Sequence, residues 1–306
     1  MGKTAWVFPG QGSQAVGMGQ TFLDNPEQLQ AINRRLGFDL LDAMAAGSKE
    51  ELQRTEVAQP AIVAHAASLA QAHAQTGAAP DMVIGHSVGE YAALVIAGVI
   101  DLEEACVLVH ERGKLMSEVK DGTMAAVIGM TDVDEAFHVT EKISASGNLV
   151  QIANYNCPGQ FVISGHVDAV KQAETDLKQA GAKRVLPLNV SGAFHSSYMV
   201  PAATRFKDVL ASSPFKPAAI GIVSNVDADV HTDPEKLKAL LTEQLYASVQ
   251  FEACVRKAID AGVDTFIEFG PTSPLSGLIK RIDANVTIKQ ATTLEEVAAL
   301  GGEVRA

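Results

Sequence analysis

Residues 81–89 read Asp81-Met82-Val83-Ile84-Gly85-His86-Ser87-Val88-Gly89. Met82–Ile84 is a short apolar run of the kind that forms a buried strand. The five residues after it spell G-x-S-x-G, and an alanine-rich helical pattern continues to about Ala97. A serine on a strand-to-helix turn is pushed out of the chain line, where it can act as a nucleophile. The flanking glycines permit the tight turn and a close helix approach. The helix that follows sets N–H groups and a positive dipole end beneath the serine, where an oxyanion would form. The alternative is an ordinary strand–helix turn with a serine cap.

Upstream, Thr4–Phe8 reads as a second buried strand, breaking into the loop Pro9-Gly10-Gln11-Gly12-Ser13-Gln14. The loop matches a dinucleotide fingerprint only loosely, and no acid at the end of a second strand follows about 20 residues on. A better use is a second oxyanion donor, the N–H of Gln11 opposite that of Val88. Helical patterns fill 19–75, with interruptions expected at Gly37, Gly47 and Pro60. Downstream, Asp101 is a plausible N-cap for a helix over 102–119. Wound at ~100° per residue, that helix places Arg112 on its apolar side. A guanidinium there must snorkel or find an anion. Either it forms a salt bridge with a protein acid, or it receives a substrate carboxylate, whose geometry its fork matches.

The pattern changes near 122. Strand, helix, hairpin, helix and strand follow in the order β-α-β-β-α-β up to 190, the ferredoxin-like arrangement. Its ends lie close together, which suits an insertion. The expected fold class is therefore α/β, an α/β-hydrolase-like core with a parallel sheet over 1–122 and 191–306, carrying an inserted ferredoxin-like subdomain over 123–190.

A serine nucleophile needs a base. Eight histidines are available. His65 and His73 lie in an alanine-rich helix, His138 and His166 in the insertion, and His231 among turn residues. His86 adjoins the serine, but neighbours on a sharp turn point apart, so bracing or pocket lining suits it better. His195, in VSGAFHSSYM where the chain returns to the core, is the candidate base. No acid between Ser87 and His195 stands out as its orienting partner. A carbonyl suffices, because the partner need only fix the imidazole tautomer and direction.

Composition narrows the classes. The chain has 306 residues, 47% of them hydrophobic and 20% charged, enough for a sizeable core. Its net charge of −12 argues against a nucleic-acid groove. The three cysteines form no CxxC pair, which suits a reducing compartment. No zinc spacing occurs. No apolar run approaches the ~20 residues that span a bilayer. A cytoplasmic protein with no membrane association is expected.

Several stretches together resemble one family. FPGQGSQ at 8–14, QPAI at 59–62, GHSVGEYAAL at 85–94, ERGKLM at 111–116, ANYNCPGQFVISG at 153–165, SGAFHS at 191–196 and EFGPTSPLSGLI at 268–279 are similar to motifs of malonyl-CoA:acyl carrier protein transacylases. The resemblance runs over almost the whole chain, in order. It implies that Ser87 is acylated, that His195 is its base, and that the main-chain carbonyl of Gln250 orients the histidine. It implies that Arg112 holds the malonyl carboxylate and that Gln11 and Val88 supply oxyanion N–H groups. Asn154, Asn156, Phe194 and Met116 join the substrate site. Departures are Val88 for the usual leucine, Thr272 in the usual GPG, and Ser197-Tyr198 for the usual proline-containing stretch.

The implied activity is ping-pong transfer of malonyl from malonyl-CoA to the phosphopantetheine thiol of acyl carrier protein for fatty acid synthesis, with no bound cofactor and a monomeric enzyme. The alternatives are an acyltransferase acting in trans on a polyketide assembly line, an acyl-thioester hydrolase, and a non-catalytic carrier scaffold. An acidic carrier would need a local basic patch, for which Lys114, Lys183, Arg184 and Arg205 are the candidates.

Overall fold

The computed structural model describes residues 2–19, 26–190 and 192–302. The expected helical pattern over 20–25 and the boundary at Ser191 lie outside these. The strands are β1 (Lys3–Phe8), β2 (Met82–Gly85), β3 (Gly122–Ile128), β4 (Val150–Cys157), β5 (Gln160–His166), β6 (Arg184–Pro187), β7 (Gly221–Val223), β8 (Val230–His231), β9 (Val263–Phe269) and β10 (Thr287–Ala291).

They form two sheets. The six-stranded sheet has the order β10-β9-β1-β2-β7-β8, parallel except for β8. Its central strands are apolar and buried on both faces, as parallel strands covered by helices must be. Trp6 and Phe269 meet edge to face at 5.1 Å on one side of it. β1 and β2 end in register, Phe8 beside Gly85, so the Gln11 loop and the Ser87 turn leave the same edge of the sheet. Ligands of open α/β sheets bind beyond that carboxyl edge.

The four-stranded antiparallel sheet has the order β4-β5-β3-β6. Alternation gives it two unlike faces. Ala125, Val127, Phe161 and Ile163 pack under helices Val133–Ser144 and Val167–Gln179. Met124, Ala126 and Val162 face a cavity. A register shift between Ile152 and Asn154 breaks the alternation of β4, so Ile152 lies in the helix-covered cluster while Asn154 lines the cavity.

Helix Leu102–Ser117 is capped by Asp101, whose side chain accepts from Glu104 N at 2.7 Å. The expected interruption at Pro60 does not occur. Pro60 lies inside the continuous helix Thr55–Ala74. A proline there leaves the carbonyl four residues earlier without its donor. That carbonyl, of Glu56, receives His110 Nδ1 at 2.7 Å, so a second helix satisfies the freed acceptor.

Candidate active site

Ser87 stands between β2 and helix Gly89–Ile96 with φ +52°, in the left-handed region. The turn is tight enough that a Cβ on Gly85 would lie 1.9 Å from Glu90 N, and one on Gly89 2.2 Å from Phe8 O. Asn225, from the loop after β7, brackets the turn. Its Oδ1 accepts from Ser87 N at 2.7 Å and its Nδ2 donates to Gly85 O at 2.7 Å. Asn225 is not among the residues expected at the site. Its only signal is a polar side chain at the carboxyl end of a short strand.

His195 Nε2 lies 2.8 Å from Ser87 Oγ. His195 Nδ1 lies 2.7 Å from the main-chain carbonyl of Gln244. A carbonyl only accepts, so Nδ1 carries the proton and Nε2 presents its lone pair to the serine. Burial, and then the charge of Arg112, push His195 down to about 3. The imidazole is therefore neutral at neutral pH, as a base must be.

The orienting carbonyl belongs to Gln244 and not to Gln250, which corrects the expectation. Gln244 ends helix Pro234–Gln244, where the last carbonyls have no partner within the helix. Gln250 begins helix Phe251–Asp260, and its carbonyl accepts from Cys254 N at 2.9 Å. A helix C-terminus also favours the imidazolium that forms when the base takes a proton.

Arg112 is 1% exposed. Its Nη1 donates to Gln59 Oε1 at 2.9 Å, and its Nη2 to Gln244 Oε1 at 3.0 Å and to Ser87 Oγ at 3.2 Å. The guanidinium lies 5.9 Å from the ring centroid of Tyr91. Its Nε has no hydrogen-bond partner among the described residues. Nor does any carboxylate there form an ion pair with it. The salt-bridge alternative is thus not what the structure contains. A buried cation held only by neutral acceptors is poised for an anion.

These groups open onto a cavity of about 370 Å³ lined also by Gln11, Met116, Asn154, Asn156 and Phe194. Met116 Sδ accepts from Gln59 Nε2 at 3.6 Å, which ties the cavity wall to a partner of Arg112. The N–H groups of Gln11 and Val88 have no acceptor among the described residues. His86 turns away from Ser87, with Nε2 2.9 Å from Asn156 Oδ1 and its ring against Phe251. His65 is buried away from the cavity and bridges two other segments, Gly19 N and Thr292 O. A larger groove of about 650 Å³, between helices Val200–Ser212 and Pro234–Gln244, contains neither nucleophile nor base.

None of the four expected rim cations lines the cavity. Lys114 pairs with Glu111 at 2.8 Å, and Arg205 pairs with Glu118. Arg281, which the sequence reading did not single out, does reach the wall, donating to Gln160 Oε1 at 2.8 Å. Among the described residues no cluster of three or more His, Cys, Asp or Glu could hold a metal.

The site can thus activate a serine, receive an oxyanion and bind a carboxylate within one cavity. Comparisons with known proteins give the family. Residues 5–300 match the acyl transferase domain family. A malonyl CoA-acyl carrier protein transacylase of Bacillus subtilis (strain 168) is 42% identical, over 96% of each chain. The crystal structure of an acyl carrier protein S-malonyltransferase from Vibrio cholerae superposes with a TM-score of 0.92 at 39% identity, covering 97% of this chain and 99% of that one. A malonyl-transacylase in complex with its type II PKS acyl-carrier protein superposes with a TM-score of 0.93 at 36% identity, covering 98% and 99%. With a family match over nearly its full length and relatives this similar, the chain belongs to the acyl transferase family, among the malonyl CoA-acyl carrier protein transacylases.

Proposed function

We propose that this chain moves a malonyl group from malonyl-CoA to the phosphopantetheine thiol of an acyl carrier protein, through a malonyl ester on Ser87. The observation that carries the reading is Arg112, a buried cation without a carboxylate partner whose Nη2 lies 3.2 Å from the nucleophile. A substrate with a free acid and a reactive thioester would satisfy both groups at once.

The chemistry follows from the atoms present. The malonyl carboxylate docks on the cavity side of Arg112. Ser87 Oγ attacks the thioester carbon as His195 Nε2 takes its proton. The N–H groups of Gln11 and Val88 hold the oxyanion. The C–S bond breaks, the proton passes from His195 to the sulfur, and CoA leaves as thiol. The carrier thiol then gives its proton to His195 and attacks the ester. The acyl–Oγ bond breaks, and Ser87 recovers the proton. Gln244 holds the imidazole through its main-chain carbonyl. Met116 and Phe194 bound the acyl pocket, while Asn154 and Asn156 line the wall on the side of the antiparallel sheet. We take residues 123–190 as an inserted unit roofing this cleft.

Arg112 also argues against a general esterase, because a neutral acyl group would leave it buried and unpaired. The carrier we favour is that of fatty acid synthesis. A polyketide carrier is the second reading, favoured by the similarity to a transacylase solved with a type II PKS carrier. Action as a monomer in the cytoplasm belongs to the same proposal, and the three free, buried cysteines fit a reducing compartment.

Intact mass after brief exposure to malonyl-CoA tests the reading. A malonyl adduct is expected on the wild type, with none on Ser87→Ala and none from acetyl-CoA. The adduct should pass to carrier protein, and the rates with the two carrier types separate the two carriers. Steady release of malonate without an adduct would make this a hydrolase.

A further inference from the structure

One buried acid beside the site has no part in the chemistry above. Glu90 lies in the first turn of helix Gly89–Ile96 and is 1% exposed. Its Oε2 accepts from Gln244 Nε2 at 2.6 Å and from Asn225 N at 3.2 Å. Gln244 in turn touches both halves of the site. Its side-chain Oε1 accepts from Arg112 Nη2, and its main-chain carbonyl receives His195 Nδ1.

The side-chain amide of Gln244 has one donating and one accepting end. The main-chain N–H of Asn225 donates to Glu90 Oε2, so that oxygen accepts. This dictates which end of the amide faces which neighbour. The NH2 points to Glu90 at 2.6 Å and, more weakly, to the main-chain carbonyl of Ser87 at 3.3 Å, and the oxygen is left for the guanidinium. A reversed amide would set oxygen against oxygen at Glu90 and N–H against N–H at Arg112. Burial raises Glu90 to about 7, against the pull of Asn225, Gln244 and Arg112. The amide stays fixed in either protonation state, because a carboxylic acid keeps an accepting oxygen.

The base is held differently. Its partner is a main-chain carbonyl, which any residue at 244 supplies. Asn225 keeps its two bonds to the Ser87 turn without Glu90.

We propose that Glu90 is a positioning residue for substrate selection: by fixing the Gln244 amide it aims Arg112 at the acyl carboxylate while leaving the Ser87 Oγ–His195 contact and the carbonyl that holds His195 in place. The inference rests on the malonyl-transfer reading.

Two rates on the full chain separate the roles. One is malonyl-adduct formation from malonyl-CoA. The other is labelling of Ser87 by an uncharged fluorophosphonate, which needs the nucleophile and base but no carboxylate clamp. Glu90→Met is expected to lower the ratio of malonylation to labelling by about tenfold, a modest interaction on the scale of transition-state energies. Glu90→Gln can place its amide oxygen where Asn225 N and Gln244 Nε2 need it, and should restore most of the ratio. Gln244→Met keeps the carbonyl to His195 and should reproduce the Glu90→Met ratio. The double variant should fall no further than either single one, because both remove one linkage.

Equal losses of both rates in Glu90→Met would make Glu90 a structural residue and overturn the proposal. So would an unchanged ratio, or a Glu90→Gln variant as impaired as Glu90→Met. If Glu90→Met does not fold, Gln244→Met and Glu90→Gln still decide the matter. A wild type that takes the fluorophosphonate but no malonyl group would instead sink the transfer reading itself.

Discussion

Two buried charges, Arg112 and Glu268, are each 1% exposed, and they are treated in opposite ways. Glu268, in β9, spends its carboxylate on the start of helix Pro274–Ile282. Oε1 accepts from Leu275 N at 3.0 Å, and Oε2 from Ser276 N at 2.6 Å and Ser276 Oγ at 2.7 Å. Those N–H groups have no partner within the helix, and the helix dipole favours an anion there. Arg112 rests instead on side-chain oxygens and an aromatic face beside a cavity, with its Nε unpartnered. A charge consumed by the main chain serves the fold. A charge resting on replaceable partners beside a cavity is free to serve a ligand.

The contrast can be broken at either end. Arg112→Ala should lower malonyl-adduct formation by about 100-fold or more, the scale of a charged contact worth about 2.7 kcal/mol in the transition state. Its urea midpoint should stay level or rise, because a buried charge has been removed. A marked loss of stability with normal malonylation would reverse the assignment. Glu268→Ala is the mirror image. It should cost about 2 kcal/mol in urea unfolding, the scale of a buried acceptor lost to several donors. Its ratio of malonylation to fluorophosphonate labelling should be kept.

A subtler effect concerns pH. Burial raises Glu268 to about 7, from an ordinary value of 4.5. Between those values the folded chain holds a proton that the unfolded chain has released. Stability from this group therefore falls as pH rises through that window. Comparing Glu268→Gln with wild type at pH 5 and pH 8 isolates it. The variant should lose less stability on going to pH 8. A larger loss in the variant would mean that the helix N-terminus outweighs burial.

The smallest effect is expected at Gln250, which contacts neither charge. Gln250→Ala should change adduct formation by no more than about twofold, because the substitution keeps its main-chain bonds to Cys254 and Asn225 and removes no side-chain contact to the site. A large loss would return the histidine-orienting role to that position.

The two glycines of G-x-S-x-G announced the Ser87 turn, because a side chain at either would strike the backbone. Arg112 was legible as a cation on an apolar stripe. His195 was legible by its place just after the β-α-β-β-α-β stretch. Gln244 was not legible, because it holds the base through its main chain, which carries no signature in residue type. Gln250 was credited with that role only because the family resemblance implied it. Glu90 and Asn225 were missed because a short helix start and a loop carry no periodic apolar stripe against which a core-facing polar side chain would show. Pro60 misled in another way. The local rule for proline is sound, but the carbonyl it frees is served by His110, fifty residues away.

The segment after Gln244 has a further consequence. Tyr155 N donates to Val249 O and Val249 N donates to Ala153 O, each at 2.8 Å, and Ser248 Oγ donates to Ile152 O. Part of the outer edge of β4 is thereby occupied. An open strand edge is a template on which another chain can add itself. At the opposite border β6 is four residues long and carries Arg184 and Pro187, which discourage such pairing. The stretch that holds His195 thus also guards the smaller sheet against aggregation, and loosening it would expose the protein to self-association as well as disturb the Ser87–His195 contact.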